Sequence, residues 1–155
     1  MSRKPVFVRA LAALAVVVAV FAGSSTVQAD EAGTLAGPCG SSYSHVGHHK
    51  ITKSPYGTVG HLDVYWSSST KRNCLVVNGY GAAYGYKDLK VAWLWDDRGV
   101  GSPVAYDSGQ YSYYAGPVYT PRGKDMTGKC ISIQGRIDLP NGTWVARRME
   151  RVHCG

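Results

Sequence analysis

The chain has 155 residues, with 17 Lys and Arg against 10 Asp and Glu, and a formal charge of +7. The length suits a single small domain, and basic residues scattered along it exclude a nucleic-acid-binding tail. Four cysteines without any CxxC pair exclude a thiolate zinc site and point to two disulfides in an oxidising compartment.

The chain opens as a secretory leader over residues 1–29. Arg3, Lys4 and Arg9 form a basic start, Ala10 to Ala22 is apolar, and Val27-Gln28-Ala29 offers small or aliphatic residues for cleavage. The apolar run falls short of the roughly 20 residues a membrane span needs, so no stable membrane insertion is expected after cleavage. Arg3-Lys4 is not a twin arginine, which favours the general secretory route. Cleavage leaves residues 30–155 as one disulfide-stapled domain. Three basic residues and no acids leave with the leader, so the mature charge is +4. Such a mild excess favours loose contact with acidic surfaces and wall polymers, not with nucleic acid.

Short strand patterns then follow one another, separated by turn residues. Leu62-Asp63-Val64-Tyr65-Trp66 alternates, with Leu62, Val64 and Trp66 on one face. Cys74 to Val77 is a short apolar strand closed by Asn78-Gly79. The Gly81 to Gly85 stretch is irregular. Val91 to Trp95 is apolar on both faces and is expected to be a central strand, broken by Asp96-Asp97-Arg98-Gly99. Val104 to Tyr106 and Gln110 to Tyr114 are expected as two strands around a turn at Asp107-Ser108-Gly109, and Val118-Tyr119 as a further one. Ile131, Ile133, Ile137 and Leu139 share a face of the next strand, and Trp144 to Val152 returns beside it. No segment carries a capped helical period. The expected fold is all-β: a small sandwich or barrel of about eight short antiparallel strands.

The last hairpin predicts the disulfides. A two-residue type I′ turn at Asn141-Gly142 pairs positions whose numbers sum to 283, so Cys130 faces His153. One bulge brings Cys130 to Cys154, which leaves Cys39 for Cys74.

Apparent motifs fail on physical grounds. Leu35 to Cys39 resembles a lipoprotein box, but Pro38 interrupts it and it lies beyond the apolar run. Leu139 to Thr143 resembles a sortase signal without the tail that must follow. Gly123 to Cys130 resembles a phosphate loop with Cys in place of the Ser or Thr that holds magnesium. There is no nucleophile elbow, and Glu31 and Glu150 are the only glutamates, so no catalytic residues and no cofactor are expected. His45, His48 and His49, with His61 nearby, are metal-ligating types, but three ligands on one polar turn segment predict no tight metal site. Tyr111, Tyr113, Tyr114 and Tyr119 form a candidate binding face for a protein or a sugar.

Four stretches carry a family resemblance. They are Cys39-Gly40-Ser41-Ser42-Tyr43; Gly57-Thr58-Val59 with Lys71-Arg72-Asn73-Cys74-Leu75-Val76; Ser112 to Tyr119; and Gly128-Lys129-Cys130-Ile131 with His153-Cys154-Gly155. On these the chain resembles the spore-associated protein A family of streptomycetes and related actinobacteria. The resemblance implies an exported protein found with aerial hyphae or spores and carries over no catalytic residue. The expectation is a non-catalytic secreted protein, held on the cell or spore surface by weak contacts with an extracellular protein or wall polymer. The alternatives are a secreted inhibitor of an extracellular hydrolase, using the Asp96 to Pro103 loop, and an unrecognised secreted hydrolase.

Overall fold

The computed structural model describes residues 37–98 and 101–154; the leader expected over residues 1–29 lies outside them. Eight strands run β1 Ser44–Lys53, β2 Gly57–Ser67, β3 Arg72–Gly79, β4 Asp88–Trp95, β5 Ala105–Tyr111, β6 Tyr114–Tyr119, β7 Ile131–Asp138 and β8 Trp144–Val152, with a short 3-10 turn at Gly81–Ala83. They form two four-stranded antiparallel sheets, β1-β2-β3-β6 and β5-β4-β7-β8. The fold is an all-β sandwich.

Alternation in the strands builds the core. Leu62, Val64, Leu75 and Val77 from the first sheet meet Ala92, Leu94, Ile133 and Ile137 from the second, all fully buried. Two glycines let the sheets approach. A Cβ on Gly135 would lie 2.8 Å from Leu62 Cδ2, and one on Gly60 would lie 2.1 Å from Ile137 Cδ1. At about 25 cal/mol per Å² of apolar area, each large side chain on this interface contributes about 1.5–3 kcal/mol relative to exposure.

Three expectations change. The His45 to His49 segment is strand β1, not a solvated turn, because it pairs along its length with β2. Asp107-Ser108-Gly109 is no turn. It lies within β5, paired with Ala92, Val91 and Lys90, and the chain turns at Ser112-Tyr113 instead. The last hairpin has a three-residue loop, Pro140-Asn141-Gly142, closed by the Leu139 N–H donating to Thr143 O, with only Gly142 at positive φ. That is the other common hairpin solution, with glycine in the left-handed position. Its pairs therefore sum to 282, from Asp138 with Trp144 to Ile133 with Met149. A bulge before Val152 restores 283 at Ile131, and Cys130 joins Cys154. Cys39 joins Cys74, as expected. The two staples close separations of 35 and 24 residues, worth about 2–4 kcal/mol each.

Candidate binding surfaces

The chain passes between the sheets at one end of the sandwich twice, from β3 to β4 and from β5 to β6, and tyrosines gather there. The segment after β3 and the β5–β6 corner are tied by backbone bonds, Gly79 N–H to Tyr113 O at 2.7 Å and Gly85 N–H to Ser112 O at 2.9 Å. Lys90 holds them from beneath. Its side chain is fully buried, and its ammonium donates to Tyr86 O at 2.9 Å and Tyr111 O at 2.7 Å. Burial lowers its pKa, so the two carbonyls replace the water it has lost.

Above this clasp lies an open hollow of about 380 Å³ lined by Asp107, Tyr111, Ser112, Tyr113, Tyr114 and Gly116. Tyr84 meets Tyr113 edge to face at 5.1 Å, and these two rings are 65 % and 53 % exposed. Tyr80, Tyr86 and Tyr114 are exposed as well. The Asp107 carboxylate ties the corner together: one oxygen accepts the Tyr111 hydroxyl at 2.7 Å, the other the Gly116 N–H at 2.6 Å. It shapes the hollow and has no oxygen without a partner. Gly109 leaves room for the Tyr111 ring, whose Cζ would lie 2.7 Å from a Cβ there.

A second surface covers the outer face of the first sheet. Alternation in β2 sends Leu62 and Val64 inward and His61, Asp63 and Tyr65 outward. The β1 bulge at Val46 sets His45 opposite Tyr65 and His48 opposite Asp63, so both imidazoles reach one carboxylate. His45 Nε2 lies 3.0 Å and His48 Nδ1 2.6 Å from Asp63 Oδ1, while Asn78 Nδ2 donates to Oδ2 at 2.7 Å. Burial alone pushes the Asp63 carboxyl up; the hydrogen bonds from His48, Asn78 and His45 outweigh it and hold it below its usual value. His61 stacks on His48 at 4.2 Å, Tyr80 meets His61 at 5.1 Å, and Tyr65 lies against His45 at 5.0 Å. A ladder of rings thus crosses the sheet to the tyrosine end.

His49 takes no part in that cluster. It points to the other face of β1 and meets His153, Nε2 to Nε2, at 2.8 Å, where the β1 and β8 edges close the sandwich. Of the expected tyrosine face, Tyr111, Tyr113 and Tyr114 come together, but Tyr119 does not. It sits on the β6 partner position of Cys74, packs against Tyr43 at 5.5 Å under Arg72, and donates to Cys39 O. Six residues in strand alternation carry it from Tyr114 to the far end of β6. Lys90 and Asp63 escaped the sequence reading. The signal for Asp63 was present, since alternation places it with His61 and Tyr65. Nothing local marks Lys90 as buried.

The protein is thus a two-disulfide β-sandwich domain with a tyrosine-rich end and a histidine-rich sheet face. The chain belongs to the spore-associated protein A family. It is 32 % identical over 131 residues to "Spore-associated protein A" of Streptomyces coelicolor, a match covering 84 % of this chain and 75 % of that protein. No family model matches the chain, and no solved structure matches it.

Proposed function

We propose that this is a non-catalytic secreted protein, associated with the cell or spore surface and retained there through the tyrosine end by wall glycan. One observation carries the reading: exposed tyrosine rings are gathered around an open hollow, on loops held by a buried lysine. Flat amphipathic rings stack on the apolar faces of sugars and keep a hydroxyl for hydrogen bonding. A clasped platform loses little entropy on binding. The family relative's name supports the surface location.

The test is co-sedimentation of the mature protein with walls prepared from hyphae and from spores. The expected wild-type result is a bound fraction released by soluble wall glycan. Replacing Tyr84 and Tyr113 together by Ala removes two stacking rings, about 1–3 kcal/mol, or roughly ten- to a hundredfold in affinity. Equal binding by the double variant would refute the reading. The exported form is expected to begin at Asp30, which intact-mass measurement checks.

A second reading, inhibition of an extracellular hydrolase, draws on the 96–103 loop. Trp95 Nε1 donates to Gly101 O at 2.9 Å, and Asp96 pairs with Arg98 and Lys124. Titration against secreted proteases and amylases separates the two readings.

A further inference from the structure

We propose that His45, His48 and Asp63 form a binding site for a single divalent transition-metal ion of the zinc or copper(II) type. Three potential ligand atoms, one from each residue, lie within 4.8 Å of one another. Two imidazole nitrogens and one carboxylate oxygen are a donor set of intermediate softness, which suits zinc and copper(II) and does not suit magnesium or calcium.

The sequence pattern predicts no tight site because it places the histidines on one polar turn. The pairing of β1 with β2 removes that premise. The ligands stand on two adjacent strands, and the third is a carboxylate from outside the histidine segment. Each ligand is also braced. Asn78 holds the second oxygen of Asp63, His61 stacks on His48, and Tyr65 packs against His45. Such outer partners orient ligands before the ion arrives and reduce the cost of ordering them. Access is open, because the side chains of His45 and His48 are 46 % and 48 % exposed while that of Asp63 is 11 % exposed. An ion would therefore enter from solvent, rest on the largely covered Asp63 carboxylate, and keep its remaining positions for water or an external ligand.

In the metal-free arrangement, the two imidazole N–H groups fill the place the ion would take. On binding, those protons leave the nitrogens that face Asp63, by release or by tautomer change. The ion then balances the carboxylate that the imidazoles otherwise share.

The test uses the untagged mature protein, titrated separately with zinc and with copper(II) by calorimetry, and examined with copper(II) by electron paramagnetic resonance. The expected wild-type result is one ion per chain, bound more tightly than about 1 μM, with hyperfine structure from two nitrogens. His48→Ala and Asp63→Asn are each expected to weaken binding at least tenfold, and Asn78→Ala by about ten- to a hundredfold. His49→Ala is expected to leave affinity and spectrum unchanged, because His49 faces His153. Far-ultraviolet circular dichroism confirms that each variant is folded; Asp63→Asn keeps the shape of the side chain if His48→Ala does not fold. Absence of stoichiometric binding would overturn the proposal. So would wild-type affinity in folded Asp63→Asn, or an equal loss in His49→Ala, which would mean loose chelation by the whole histidine segment.

Discussion

Two buried charges position the two surfaces, and they do so differently. Lys90 is fully buried and gives its hydrogens to main-chain carbonyls, Tyr86 O and Tyr111 O. Carbonyls can only accept, so this clasp has one state, and the tyrosines above it are held by the backbone. Asp63 is nearly as buried but receives side chains, two of them half-exposed imidazoles. Imidazoles can change protonation, tautomer or partner. A buried charge bonded to main chain builds a platform, whereas one bonded to half-exposed side chains leaves a site whose partners can be exchanged.

The largest expected effect comes from a covalent tie that bonds to neither charge. Replacing Cys130 and Cys154 together by Ala lowers stability by about 2–4 kcal/mol through the denatured state. Denaturant unfolding measures the loss, and wall binding by the folded fraction is expected to persist. Loss of wall binding in that variant would mean that the platform depends on the staple and not on Lys90.

Lys90→Met comes next. It leaves the Tyr86 and Tyr111 carbonyls without the lysine donor and is expected to cost about 1–3 kcal/mol. Wall binding should fall with it, because the two tyrosine segments lose their shared tie. Amide exchange should rise at Gly79 and Gly85, whose N–H groups bond across the same junction. Unchanged exchange at both positions would show that the backbone bonds suffice without the lysine.

Asp96 is a third buried charge, paired with the exposed Arg98 and with Lys124. The hydrogen bonds from Arg98, aided by Lys124, hold its carboxyl well below the usual carboxylate range despite burial. A depressed carboxylate stabilises the fold fully above its unfolded value of 3.8, and that contribution is lost as pH falls through the lower folded value. After allowance for solvent screening of its partners, Asp96→Asn is expected to cost about 1 kcal/mol at pH 7. Urea midpoints of wild type and variant should converge towards pH 2. A gap independent of pH would assign the effect to packing.

Asp63→Asn is expected to have the smallest effect on stability, no more than about 1 kcal/mol, because its imidazole partners are half exposed and screened. Thermal unfolding checks this. The lysine substitution is expected to damage the fold and its platform together, whereas the aspartate substitution is expected to leave the fold and remove only the exchangeable site. A loss as large as that of Lys90→Met would place Asp63 among the structural charges.

Local patterns in the chain carry the all-β class, the buried face of Ile131, Ile133, Ile137 and Leu139, the central strand at Val91 to Trp95, and both disulfide pairings, although the turn behind the second has three residues and not two. Those features rest on alternation, turn residues and cysteine parity, which are local or nearly so. Tertiary structure decided what depends on pairing between distant segments. Asp107-Ser108-Gly109 looks like a turn until β4 supplies its hydrogen-bond partners. Lys90 looks exposed until two loops close over it. In a regular strand His45 and His48, three residues apart, would face opposite sides of the sheet. The bulge at Val46 adds one residue to β1 and turns both to the same side. That shift of register, set by pairing with β2, brings two histidines to Asp63, and no local pattern in the chain announces it.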